Sequence, residues 1–249
     1  MTNNAPSPNL KKEPWWVTSL AMKRPDVVLV APFMVYLLLL GLNDLFPERY
    51  MAVPIIIRGI GGLAAFWLLR RHMPPLGRPF LGTAIIAGVL VAAGWVGGQY
   101  LFNQIKIGSF SFGDRLFLFP GTIEVTDPRV GISTFSWYAQ ATTRIAVACI
   151  TVPIVEEIFW RGFMLRALID WDRFEQIPLG TFTWFSFVGT ALLSTLQHPD
   201  NWAISIFCWF AYNALFYWRK SLLCLMITHG VTNLALYTYV LIAEDWLFW

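Results

Sequence analysis

The stretch Arg144-Ile-Ala-Val-Ala-Cys-Ile-Thr-Val-Pro153-Ile-Val-Glu156-Glu157-Ile-Phe-Trp-Arg161-Gly162 decides how this chain is read. It is an apolar run of helical length with two adjacent carboxylates inside it. Ionisable residues within membrane helices are costly and are functional candidates by default. The plain alternative is an ion-pair clasp between helices. Spacing separates the two acids. Glu157 and Arg161 stand at i and i+4 with the acid first, the favoured arrangement for a helical pair. Glu156 is turned by about 100° from Glu157 and has no such partner. One carboxylate is thus available for bracing, and the other for a cavity, where it is a candidate general base. Pro153, one turn earlier, has no N–H and frees the carbonyl of Cys149, a common cause of kinks.

The surrounding composition makes this run a membrane segment. Apolar residues fill 57% of the 249 positions and charged ones 13%, against about a quarter charged in soluble domains. Seven apolar stretches are read at 27–42, 51–69, 80–101, 140–168, 181–196, 202–217 and 221–243. The bilayer core supplies no water for backbone groups, so such runs are expected as helices. The expected fold is an all-α, polytopic transmembrane bundle of about seven helices, at about 20 residues per crossing. A polar tail at 1–26 precedes a single integral membrane domain at 27–249, with a long loop at 102–139. That loop is read as a hairpin or surface lid. The tail has no early apolar core and does not read as a cleaved signal.

Charge distribution gives an orientation. With the N-terminus inside, the inner segments hold twelve basic residues: Lys11, Lys12, Lys23, Arg24, Arg70, Arg71, Arg78, Arg161, Arg166, Arg173, Arg219 and Lys220. The outer segments hold four, Arg49, Lys106, Arg115 and Arg129. This bias favours N-in and C-out. Trp15, Trp16, Trp95, Trp218, Trp246 and Trp249 lie near ends of apolar runs, where indoles favour the interface. The net charge of +3 follows topology and calls for no nucleic-acid partner; membrane lipids are the expected surroundings. Cys149, Cys208 and Cys224 show no metal or disulfide spacing and read as small buried residues.

Two histidines join the acid pair as candidates. His198 ends the fifth stretch, and His229 lies in the seventh, four residues before Asn233 and on its face. Depth is compatible. Glu156 lies fourteen residues before Asp170 and His198 seventeen after Thr181, about 21 and about 26 Å of helix. His229 and Asn233 lie about 12 and about 18 Å past Ser221. Arg58 and Arg144 are further intramembrane charges, read as structural, and Asn213 is read as an interhelical hydrogen bonder.

In this order on successive helices, Glu156-Glu157-x-x-x-Arg161, His198 and His229-x-x-x-Asn233 resemble the CAAX protease and bacteriocin-processing family of intramembrane glutamic endopeptidases. The resemblance covers about 140–243. Its middle motif departs at Ser194, where the family has Phe. The stretch from Trp202 through Tyr212-Asn213 and Arg219-Lys-Ser221 to Trp246-Leu-Phe-Trp249 looks like a bacterial branch of CAAX prenyl protease-related proteins that accompany exosortase-type sorting. The resemblance implies that Glu156 and His198 activate a water, that His229 and Asn233 stabilise the oxyanion, and that Glu157 and Arg161 brace the site. It implies a membrane-associated protein or peptide substrate, a bacterial inner membrane and no required cofactor. Two other readings stay open: a zinc protease using Glu156, His198 and His229, and a non-catalytic membrane partner or immunity protein on the same scaffold.

Overall fold

The computed structural model describes residues 14–119 and 121–249. Lys11 and Lys12, counted above among the inner charges, and Pro120 of the long loop lie outside them. Each apolar stretch is occupied by helix. In chain order these are α1 Trp15–Lys23, α2 Pro25–Leu38, α3 Ala52–Leu69, α4 Leu81–Gln104, α5 Thr134–Ala146, α6 Val152–Glu157, α7 Leu165–Ala167, α8 Trp184–Ser194, α9 Trp202–Arg219 and α10 Leu222–Ala243. The short helix α1 falls within the segment expected as a polar tail. Its exposed Trp15 and Trp16 sit opposite a buried Val17, which packs against Val28 and Leu69.

Four segments are long and apolar enough to cross a membrane: Pro25–Leu45, Ala52–His72, Leu81–Gln104 and Leu222–Ala243. The distribution of side chains is that of a protein dissolved in lipid. Ile56, Ile57, Ile60, Ile85, Ile86, Val89 and Leu90 face outward, whereas Glu157, Arg161, Gln99 and Asn213 are buried. Water would reverse that arrangement; hydrocarbon rewards it. The chain is a helical integral membrane protein.

Helix association without a hydrophobic drive depends on close backbone approach and interhelical hydrogen bonds. The most extensive pairing, α4 with α10, shows both. A Cβ at Gly88 would stand 2.7 Å from Val231 and 2.8 Å from the Thr228 carbonyl. That contact lets Thr232 Oγ1 donate to the Gly88 carbonyl at 3.1 Å. Asn213 of α9 donates to the Phe187 carbonyl and to Thr190 Oγ1 of α8, both at 2.9 Å. It is the interhelical bonder expected.

Residues 134–167 form one continuous rod in which α5, α6 and α7 are separated by two wide turns, Val147–Thr151 and Ile158–Met164. In the first, the Val152 N–H reaches back five residues to the Val147 carbonyl. In the second, Leu165 does the same to Trp160. Such i→i+5 turns recur at functional sites. Here they bracket α6 and its two glutamates.

The long loop contains a two-stranded antiparallel hairpin, β1 Lys106–Ile107 and β2 Phe110–Ser111. Its remainder is fastened to the segment after His198. The Leu116 N–H donates to the Pro199 carbonyl at 2.8 Å, Trp202 Nε1 to the Asp114 carbonyl at 3.0 Å, and Arg115 pairs with Asp200 at 3.3 Å. Arg129 pairs with Asp127 and with Glu244 just beyond α10.

Candidate active site

Glu156 and Glu157 leave α6 in different directions, as their angular separation requires. Glu157 is fully buried and holds two partners. Its Oε2 pairs with Arg161 Nη1 at 3.0 Å, and its Oε1 meets His229 Nδ1 at 2.9 Å. The fully buried Arg161 guanidinium is covered by Trp209, 4.1 Å from the ring centroid, and by Tyr212 at 5.6 Å. The first contact was legible as an i,i+4 pair. The second was not, because it joins α6 to α10 over 72 residues of sequence.

Glu156 is 6% exposed and lines a cavity of about 710 Å³. Gln197 Nε2 donates to its Oε1 at 3.1 Å, and Trp160 Nε1 donates to Gln197 Oε1 at 2.7 Å. The amide is thereby fixed in orientation, with its NH₂ toward the carboxylate. Among the described residues Glu156 Oε2 has no hydrogen-bond partner. Gln197 escaped sequence reading, because a lone glutamine at the end of an apolar run carries no spacing signal.

His198, His229 and Asn233 line the same cavity as Glu156. His198 follows the tight turn Thr195–Gln197, and its N–H donates to the Thr195 carbonyl at 3.0 Å. Its ring meets Trp95 edge-on at 5.3 Å between centroids. Trp95 is therefore a buried wall of the site and not the interfacial indole expected. Ser194, where the family has Phe, is buried and donates to the Ala191 carbonyl at 3.0 Å, closing the turn that delivers Gln197 and His198.

Asn233 Nδ2 donates to the Ala148 carbonyl at 2.7 Å. The cause lies in the wide turn. Once Val152 bonds to Val147, the next N–H in that register belongs to residue 153, a proline, and the Ala148 carbonyl is left without a backbone partner. Simple α-helical register assigns that orphaning to Cys149. In the structure the Cys149 carbonyl instead abuts α10, 2.6 Å from where a Cβ on Gly230 would stand. Gly230 lets α10 lie close enough for Asn233 to reach Ala148.

Arg58 and Arg144, read above as structural, also line the cavity, together with Tyr36, Tyr237 and Phe248. The zinc reading requires Glu156, His198 and His229 to converge as ligands. Among the described residues no three His, Cys, Asp or Glu side chains are grouped to hold a metal ion. His229 Nδ1 is engaged by Glu157.

Residues 138–235, under half of the chain, match the family described as Rce1-like, type II CAAX prenyl endopeptidase Rce1-like. The match runs from α5 into α10 and includes Glu156, Glu157, Arg161, His198, His229 and Asn233. It bears out the resemblance to the CAAX protease family and supports a CAAX-protease-like membrane hydrolase in general terms. No curated protein and no solved structure shows significant similarity to the chain.

Proposed function

We propose that the protein is a metal-independent intramembrane endopeptidase that hydrolyses a peptide bond in a membrane-associated protein. One observation carries this reading: Glu156 has one oxygen fixed by Gln197 and the other unpartnered, in a cavity shared with His198, His229 and Asn233. A water oriented by Glu156 Oε2 and His198 loses a proton to Glu156 as its oxygen attacks the peptide carbonyl carbon. The carbonyl oxygen becomes an oxyanion. Glu156 then returns the proton to the amide nitrogen, and the C–N bond breaks. A positioned general base is worth about 10²- to 10⁴-fold.

His229 and Asn233 are the donors assigned to the oxyanion. With Glu157 accepting from His229 Nδ1, Nε2 becomes a donor only as imidazolium, whose charge Glu157 opposes at 2.9 Å. Asn233 Nδ2 already donates one hydrogen to Ala148 and has a second available. Fixed donors in a site shielded from water act more strongly than they would in bulk solvent.

The full span count in this proposal is seven, with 134–167, α8 and α9 completing the four long segments. Two of the twelve basic residues assigned to the inner side, Arg161 and Arg166, are buried within the bundle and carry no topological information. Ten against four remain, and these support N-in, C-out insertion, in a bacterial inner membrane. The substrate class is a prenylated or sorting-signal-bearing protein. Substrate trapping tests the assignment: Glu156→Gln in native membranes should retain a bound protein that the parent releases cleaved. Equal recovery of uncleaved protein from parent and variant would contradict it.

A further inference from the structure

The cavity that holds Glu156 is lopsided along the bundle. It reaches from the middle of the helices, at Tyr212 and His229, to the end that carries the long loop, at Leu40 and Asn201. None of the described residues at the opposite end, 70–80, 168–183 or 219–221, lines it. At the near end it adjoins a second cavity of about 380 Å³, because Asn201 and Phe248 line both. The other walls of this chamber come from the long loop, through Arg115 and Glu124, from Asp200, and from the segment that follows α10, through Trp246. On three of its lining residues a polar atom is buried without a hydrogen-bond partner among the described residues: Arg115 Nε, Asp200 Oδ1 and Asn201 Nδ2. Arg115 and Asp200 pair as charges at 3.3 Å, without the alignment of a hydrogen bond.

Buried donors and acceptors left unpaired are costly, and a ligand that pairs them relieves that cost. This set asks for both roles, with two donors and one acceptor. Each residue of an extended peptide offers a C=O and an N–H, which answers both. The Arg115–Asp200 pair is neutral in sum and Glu124 adds a carboxylate, so the chamber disfavours anions. We propose that the chamber is the entrance and polar subsite of the candidate active site, binding an extended, hydrophilic, non-acidic peptide segment through its main chain. This rests on the hydrolase reading and on N-in insertion, and deepens both. The substrate is presented on the outer face, and the bond cut lies beside a polar stretch. Asn201, on the shared wall, donates its N–H to the His198 carbonyl at 3.1 Å. A peptide passing that wall therefore enters the larger cavity beside the residue assigned to orient the water.

Thiol labelling tests the chamber without relying on cleavage. Cys149, Cys208 and Cys224 are replaced by Ala, and Thr122→Cys is introduced at an exposed position of the chamber's rim. The membrane-impermeant reagent trimethylammonioethyl methanethiosulfonate is applied to right-side-out and to inverted vesicles. Labelling should be at least about tenfold faster in the right-side-out vesicles. The blocked peptide acetyl-Gly-Ser-Asn-Thr-Gly-amide should slow it in a saturable way, and the acidic acetyl-Gly-Asp-Glu-Asp-Gly-amide should need a concentration about tenfold higher. Adding Asn201→Leu removes one unpaired donor and should raise the half-protecting concentration by about fivefold or more, the scale of one hydrogen bond. Labelling as fast or faster in inverted vesicles overturns the proposal, and so does labelling that the polar peptide leaves unchanged. Protection in a protein that cleaves nothing would leave the chamber standing and remove the hydrolase reading alone.

Discussion

Glu157 joins Arg161 on its own rod to His229 on α10, pairing with Nη1 at 3.0 Å and meeting Nδ1 at 2.9 Å. The contact ties a brace to a candidate oxyanion donor. Removing one member of a buried pair leaves an uncompensated charge, typically at about 3–5 kcal/mol. Glu157→Gln should therefore lower the thermal stability of the detergent-solubilised protein markedly. The double change Glu157→Leu with Arg161→Met should recover much of that loss without recovering activity. A single variant as stable as the parent would show that the brace carries no load.

Gln197 should behave as a positioning residue. Gln197→Leu removes the one hydrogen bond to the Glu156 carboxylate among the described residues and strands Trp160 Nε1. Misplacing a catalytic group by about 1 Å can cost about 10²-fold. The expected result is a kcat reduced by about ten- to a hundredfold with KM nearly unchanged. A change in KM alone would place Gln197 in substrate binding.

The acid pair, the apolar stretches and Asn213 were legible because each is a local signal: composition, or a spacing of four. Gln197, Arg58 and the Glu157–His229 contact were not, because each depends on which helices meet. The wide turns around α6 were hidden for another reason. Sequence marks Pro153 as a missing donor, but the register that decides which carbonyl goes unpaired is set by packing against Gly230 and Asn233. Trp95 shows the same limit: its position near a run's end predicted the interface, and a histidine from another helix claimed it.

Asn233→Leu should cost stability as well as activity. It strands the Ala148 carbonyl inside the bundle, at about 1–3 kcal/mol. Adding Pro153→Ala restores an N–H to that register and should return part of the stability while activity stays lost. If the second change restores nothing, the proline is not the reason Asn233 is needed there.

The Arg129 clamp on the long loop predicts a pH response. Hydrogen bonds from Arg129 hold Asp127 below its ordinary 3.8 and Glu244 below its ordinary 4.5. Carboxylates depressed in the folded state contribute fully above their unfolded values and lose that contribution as pH falls through the folded ones. Hydrogen exchange around 127–133 should thus be constant near neutrality and rise, after correction for intrinsic rates, once the pH drops below about 4. Arg129→Ala should raise exchange at neutral pH and flatten the response. An unchanged profile in that variant would remove the clamp from the account.

Chelators should leave turnover intact. Loss of activity with 1,10-phenanthroline, restored by added zinc, would replace the Glu156 water by a metal-bound one.

Turnover by Glu156→Gln is the most direct test of the central claim. Purified parent and variant, reconstituted in proteoliposomes, are given the trapped substrate, and new chain ends are counted by mass spectrometry. The account predicts a single cleavage by the parent and a rate lower by about 10²-fold or more in a correctly inserted variant. Cleavage by the variant at a rate close to the parent's would contradict it.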